Sequence, residues 1–120
     1  MCKALLPLQR SDGFWNVSLM DSTHFGGKEL TGTSLFTYGF AYGINHGLLD
    51  KKLYKPAVLK AWKGLVTDCI HPDGFLGYVQ GTGKEPKDSQ PVSYTNVPDF
   101  EDFSLGCFLL AGSEVYKLKN

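Results

Sequence analysis

The sequence has no net charge, with 12 Lys and Arg balanced by 12 Asp and Glu. It shows no basic stripe that could neutralise a row of phosphates, which argues against a nucleic-acid partner. Cysteine is scarce: Cys2, Cys69 and Cys107 are scattered and none stands in a CxxC pair. That is too few for a disulfide framework, so a reducing, cytoplasmic setting is the expectation. Long apolar runs are missing as well. The N-terminal Met1-Cys2-Lys3-Ala4-Leu5-Leu6-Pro7 is far too short for a signal-peptide core or a membrane span, and no membrane partner is expected. No stretch alternates with period two, so strands are not expected. His24, His46 and His71 lie far apart, and none pairs with a Cys or carboxylate at ligand spacing, so neither a metal nor another cofactor is expected.

What is present is apolar and helical. A chain of 120 residues with 42% apolar and 13% aromatic content suits one domain, or a piece of one. Residues 31 to 49 are apolar almost all round and carry Gly39, Gly43 and Gly47 at a spacing of four. This predicts a buried helix whose glycine stripe approaches another backbone, because each interior Gly otherwise costs about 0.5 to 1 kcal/mol relative to Ala. Residues 53 to 70 are amphipathic, with Leu53, Ala57, Ala61 and Leu65 on one face and Lys55, Lys60 and Lys63 elsewhere. Pro56 is expected in the first turn, where its missing N–H is harmless. Residues 103 to 118 are again apolar on most faces and predict a second buried helix. Residues 1 to 10 read as the last turns of a fourth.

The turns between these segments repeat. Asp12-Gly13-Phe14 and Asp73-Gly74-Phe75 each follow an amphipathic segment, 61 residues apart; Ser34-Leu35 and Ala41 are echoed by Ser104-Leu105 and Ala111, 70 residues on. Alternating buried and amphipathic helices in serial hairpins fit a double ring, in which inner helices are covered on both sides and outer helices on one. The predicted fold is therefore all-α, a partial (α/α)6 toroid with an incomplete ring. An incomplete ring exposes apolar helix flanks, which predicts self-association or a missing remainder. Residues 71 to 99 contain Pro72, Pro86, Pro91 and Pro98 and form a connection long enough to be functional.

Leu8 to Trp15, Thr31 to Leu49, His71-Pro72-Asp73-Gly74 and Gly106 to Tyr116, in this order and spacing, resemble the closing third of glycoside hydrolase family 105, the unsaturated rhamnogalacturonyl hydrolases, a family related to the family 88 unsaturated glucuronyl hydrolases. The resemblance covers nearly the whole chain, which would make residues 1–120 the C-terminal portion of a six-hairpin glycosidase domain. It implies an unsaturated uronyl oligosaccharide as partner, a galacturonyl-rhamnose disaccharide from pectin breakdown. It also implies chemistry in which an Asp protonates the C4=C5 double bond and water adds at C5, unlike displacement between two carboxylates. The stretches that carry the family's catalytic Asp and its Trp/Arg uronate cluster have no match here. No catalytic residue is assigned, and the piece is expected to supply pocket wall and rim and to be inactive alone.

Substrate contacts are expected at two places. Thr31 and Ser34, with Thr33, open a buried helix, where their hydroxyls either cap free N–H groups or meet the sugar acid at the positive helix end. Tyr94, Thr95, Asn96, Asp99 and Glu101 lie late in the long connection and offer an aromatic face with polar groups, a combination suited to sugar. Asp12 and Asp73 are explained by turn chemistry, and Cys107 by packing. Two alternatives remain at this level. One is another toroid enzyme, since Gln9, Gly13 and Trp15 loosely fit a cyclase pattern; the other is a noncatalytic helical binding module.

Overall fold

The computed structural model describes residues 1–85, 87–88, 90–91, 93–95 and 103–118. Helix α1 spans Cys2–Leu5 and tightens into a 3-10 turn, Leu6–Leu8. Helices α2 (Leu30–Asn45), α3 (Lys51–Gly64) and α4 (Ser104–Lys117) follow, and α3 runs on through a π-helical turn, Leu65–Cys69. Among the described residues there is no strand, only the isolated bridges Ile70 to Leu76 and Gln80 to Pro91.

The expected repeat is present to the level of individual hydrogen bonds. In the first turn the Arg10 amide donates to the Phe14 carbonyl, the Gly13 amide to the Arg10 carbonyl, and the Phe14 amide to the Asp12 carboxylate. In the second, His71 donates to Phe75, Gly74 to His71, and the Phe75 amide to the Asp73 carboxylate. Gly13 and Gly74 take φ of +96° and +91°, a region closed to most side chains. Gln9 and Trp15 serve the first turn structurally. The Gln9 side-chain amide donates to the Gly13 and Ala57 carbonyls, and the Trp15 indole N–H to the Leu5 carbonyl.

Each repeat sends its chain into an inner helix. Helices α2 and α4 make the most extensive contact in the molecule. They run parallel, because Thr31 meets Ser104 at their first turns and Asn45 meets Glu114 at their last. Ala41 and Ala111, the echoed pair, are both fully buried. Helix α3 lies over this pair, with Tyr54 edge-on to Phe40 at 5.1 Å and Trp62 stacked on Phe108 at 5.0 Å. Its buried stripe is Tyr54, Ala57, Val58, Ala61 and Gly64, the 3-4 spacing of a one-sided helix. Leu53, expected on that stripe, is 55% exposed, because the neighbouring Tyr54 takes the inward place in the first turn. Pro56 lies inside the helix, not in its first turn, so the Lys52 carbonyl lacks its i+4 donor.

Two further expectations change. Helix α2 stops at Asn45, and the chain reverses through Gly47 at φ +69°. The glycine stripe does not meet another backbone: Gly39 faces open space, and Gly43 makes room for the Leu49 side chain. Nor are the inner helices covered all round. Leu35 and Tyr42 on α2, and Leu105, Leu109 and Leu110 on α4, are exposed, because the described residues hold only one helix that lies across the α2–α4 pair.

Candidate functional site

The first turns of α2 and α4 lie side by side and the long connection crosses them. Thr31 is the junction. Its buried hydroxyl sits 2.5 Å from the Ser104 hydroxyl and accepts the Gln80 amide at 3.0 Å. One residue earlier, the Leu30 amide donates to the Tyr78 carbonyl at 2.8 Å. Tyr78 holds φ +58°, a conformation that costs a non-glycine residue on the order of 1 kcal/mol or more, and its surroundings must enforce it. These bonds strap residues 78–80 to the helix start. The strap and the helix ends enclose an open cavity of about 410 Å³, whose walls include Thr31, Gly32, Leu35, Gln80, Thr82 and Phe103. Among the described residues no charged side chain lines it.

The cap of α2 is Glu29, which the sequence reading did not single out. Its carboxylate accepts the amides of Thr31, Gly32 and Thr33, and only 3% of the residue is exposed. Burial pushes its carboxyl pKa up, and the three N–H groups oppose that rise. Gly32 leaves room for this cap, since a Cβ there would stand 2.8 Å from the Glu29 carboxylate and push it aside. With the amides filled by Glu29, the hydroxyls of α2 do other work. Thr33 accepts the Trp15 amide at 3.1 Å, tying the first Asp-Gly-Phe turn to the helix. Ser34 is fully buried, and its hydroxyl has no hydrogen-bond partner among the described residues. Of the expected contacts on this helix, Thr31 lines the cavity and Ser34 does not.

Tyr94 is held against the protein. Its ring stacks on His71 at 3.8 Å and 11°, and its carbonyl accepts from His71 Nε2 at 2.5 Å. Gly77 lies under the ring edge, where a Cβ would sit 2.6 Å from Tyr94 Cδ2. Thr95 is exposed, with its hydroxyl 3.2 Å from that of Ser93. Neither lines the cavity. Asn96, Asp99 and Glu101 lie outside the described residues.

A second, smaller cavity of about 290 Å³ lies on the outer side, lined by Asp12, Lys60, Lys63 and Asp68 among others. Two of its charges are matched by neighbours: Lys28 pairs with Asp68 at 2.9 Å and Arg10 with Asp12 at 2.8 Å. The Arg10 hydrogen bonds hold the Asp12 carboxyl below the usual range. Buried Cys69 is no nucleophile, since burial pushes its thiol up to about 12. Among the described residues no cluster of His, Cys, Asp and Glu could hold a metal, and no helix is long and apolar enough to cross a membrane.

Comparison with known proteins agrees with this architecture. The sequence pattern of Glycosyl Hydrolase Family 88 matches residues 1–119. An unsaturated 3S-rhamnoglycuronyl hydrolase of Formosa agariphila is 43% identical over 119 residues, which are 99% of this chain and 30% of that protein. Among solved structures, a family 88 glycosyl hydrolase from Bacteroides vulgatus superposes with a TM-score of 0.83 at 40% identity, over 98% of this chain and 33% of that one. A family 105 glycoside hydrolase from C. acetobutylicum ATCC 824 gives 0.66 at 30% identity, over 98% and 36%. The chain thus spans about a third of the length of the relatives it matches. With its parallel inner helices, its overlying outer helix and its repeated Asp-Gly-Phe turns, it is a partial (α/α)6 toroid and belongs to Glycosyl Hydrolase Family 88.

Proposed function

We propose that the chain is the C-terminal portion of a six-hairpin glycosidase domain that hydrates the C4=C5 double bond of an unsaturated uronyl-rhamnose disaccharide, a galacturonyl-rhamnose product of pectin breakdown being the expected substrate. The piece supplies pocket wall and rim, while the acid that protonates the alkene belongs to another part of the domain. The observation that carries this reading is the cavity over α2 and α4, whose described lining has hydrogen-bonding and apolar groups but no proton donor of suitable acidity. Gln80 and Thr82 suit sugar hydroxyls, and Leu35 and Phe103 suit a C–H face. Because Glu29 already fills the amides that open α2, the uronate carboxylate is held elsewhere, and this wall receives an uncharged part of the substrate. Thr31 shapes the wall through its hydrogen bonds. Tyr94 positions the connection, and Thr95, Asn96, Asp99 and Glu101 are proposed as polar contacts to the sugar.

The test is direct. The purified 120-residue chain, given an unsaturated galacturonyl-rhamnose disaccharide, should leave the ultraviolet absorbance of the double bond unchanged. Turnover by this chain alone would show that the acid is within it.

A further inference from the structure

The cavity on the outer side differs in kind from the one over α2 and α4. Its walls come from two elements: the first Asp-Gly-Phe turn gives Ser11 and Asp12, and the end of α3 with its π-helical turn gives Lys60, Lys63, Thr67 and Asp68. The α3 positions are three to four residues apart and share one face. Thr67 and Asp68 sit in the π-helical turn Leu65–Cys69. Such turns are rare inside helices and recur at functional sites, because the wider winding re-aims the side chains it carries. The two walls are fixed to each other. A Cβ on Gly64 would stand 2.7 Å from the Asp12 carbonyl, and one on Gly13 would stand 2.4 Å from the Lys60 carbonyl. Backbone packed on backbone thus sets the distance between the two sides.

The charges around this cavity do not balance. Asp12 is fully engaged, its two oxygens accepting from the Arg10 guanidinium and the Phe14 amide. Asp68 pairs with Lys28 through Oδ2 at 2.9 Å, and its Oδ1 has no hydrogen-bond partner among the described residues. Lys60 and Lys63 are exposed, and neither makes an ion pair or hydrogen bond through its side chain among the described residues. The hydroxyls of Ser11 and Thr67 are equally open. Four cations therefore face two carboxylates. The two ammonium groups at i and i+3 repel each other, and no acidic group of the chain answers them.

We propose that this cavity is a second, noncatalytic saccharide site that takes a saturated uronate unit. The sugar carboxylate lies between the Lys60 and Lys63 ammonium groups. Its ring hydroxyls donate to Asp68 Oδ1 and exchange hydrogen bonds with Ser11 and Thr67. That the acid is a sugar rests on the reading that the domain handles uronyl saccharides. The donor and acceptor set selects this chemistry over its neighbours. Sulfate, which only accepts, would satisfy the lysines but set a lone pair against Asp68 Oδ1. A neutral sugar would satisfy Asp68 and leave the lysines unanswered. A uronate offers a carboxylate and hydroxyl donors on one small ring, and about 290 Å³ is near the lower end of the size of small-molecule sites. No aromatic ring lines the cavity among the described residues, so the grip is polar and the affinity millimolar.

The experiment titrates the 120-residue chain with saturated digalacturonate, rhamnose and sodium sulfate at constant ionic strength, read by amide chemical shifts. Digalacturonate should give saturable shifts at Ser11, Asp12, Gly64 and Thr67, and rhamnose and sulfate should bind there on the order of 10-fold more weakly or worse. Lys60→Gln and Lys63→Gln should each weaken digalacturonate on the order of 10-fold. Lys52→Gln is the control, an exposed lysine of the same helix outside the cavity, and should change it by less than about 2-fold. All three substitutions are at exposed positions, and circular dichroism of each variant checks that it folds. The proposal is overturned if these amides show no saturable shift, if sulfate binds as well as digalacturonate, or if Lys52→Gln weakens binding as much as the other two. Digalacturonate has no double bond, so the site and the catalytic reading fail separately. Binding here together with turnover of the unsaturated disaccharide by this chain alone would sink the catalytic reading and leave the site standing. No binding here and no turnover would do the reverse.

Discussion

Phe14 and Phe75 occupy the same position of the same turn, so truncating each to alanine measures what the cover on one of them contributes. Phe14 is fully enclosed, packed with Leu30, Leu65, Cys69, Leu76 and Val79. Its removal forfeits transfer energy and leaves a cavity between α3 and the turn, about 3–5 kcal/mol together. Phe75 is half exposed, so truncation returns only about 100 Å² to water and opens no closed cavity, which gives about 1–2 kcal/mol. The two variants should differ by about 2 kcal/mol or more, a gap of about 1–2 M in the urea midpoint for a chain of this size. Urea unfolding at low protein concentration, followed by the fluorescence of Trp15 and Trp62 and by circular dichroism, reads the difference. A domain stable by only about 5–15 kcal/mol can lose its fold at the Phe14 cost, and an unfolded Phe14→Ala beside a folded Phe75→Ala is the same result in stronger form. Equal midpoints for the two variants would refute the claim that α3 covers one turn and nothing covers the other.

Glycine substitution in the same turns should follow the same asymmetry. Gly74→Ala meets only the positive-φ cost of about 1–2 kcal/mol, whereas Gly13→Ala also drives a methyl into the Lys60 carbonyl and should lower the thermal midpoint several degrees further. Thr31→Val leaves the Gln80 amide and the Ser104 hydroxyl without their partner. It should cost about 1–3 kcal/mol and speed hydrogen exchange at Gln80 while leaving the α3 amides protected. The two carboxylates give opposite pH dependences. Asp12, lowered by its bonds to Arg10, stabilises the fold above its unfolded pKa and loses that contribution as pH falls through its folded value, so Asp12→Asn should flatten the acid limb of a stability profile. Glu29, raised by burial, contributes below the ordinary carboxylate pKa and loses its contribution as pH rises through its folded value. Glu29→Gln should therefore gain on the parent chain as pH rises above the ordinary carboxylate pKa, and a difference that stays constant as pH rises would refute the assignment.

The periodicity and the turn repeat made the helices, their order and their layering legible, because a 3-4 apolar spacing and an Asp-Gly step each have one local solution. The site was legible only in part. Thr31 could be named because it opens a helix, but its role depends on Ser104 and Gln80, brought to it from 73 and 49 residues away. Glu29 escaped notice because capping is sought in Ser, Thr, Asp and Asn, whereas here the longer arm of a Glu reaches the first amides past Gly32. Tyr94 has the aromatic face that sugar recognition uses, and His71 occupies it. The extent of burial was misjudged on α4 because an apolar sequence states what a helix can be buried against, not whether the neighbour is at hand.

The partnership of α2 with α4 also sets an order of events during synthesis. The hydroxyls that join their first turns are 73 residues apart in the chain, and the bonds joining their last turns 69. At about 5–20 residues per second, α2 leaves the ribosome roughly 4–15 s before its parallel neighbour can reach it. The α2–α3 hairpin, linked by the short turn through Gly47, has to hold itself together for that interval with the inner flank of α2 open. The fully enclosed Val58, Ala61 and Phe40 give it a local core with which to wait, and the non-local closure by α4 becomes the slow step of folding.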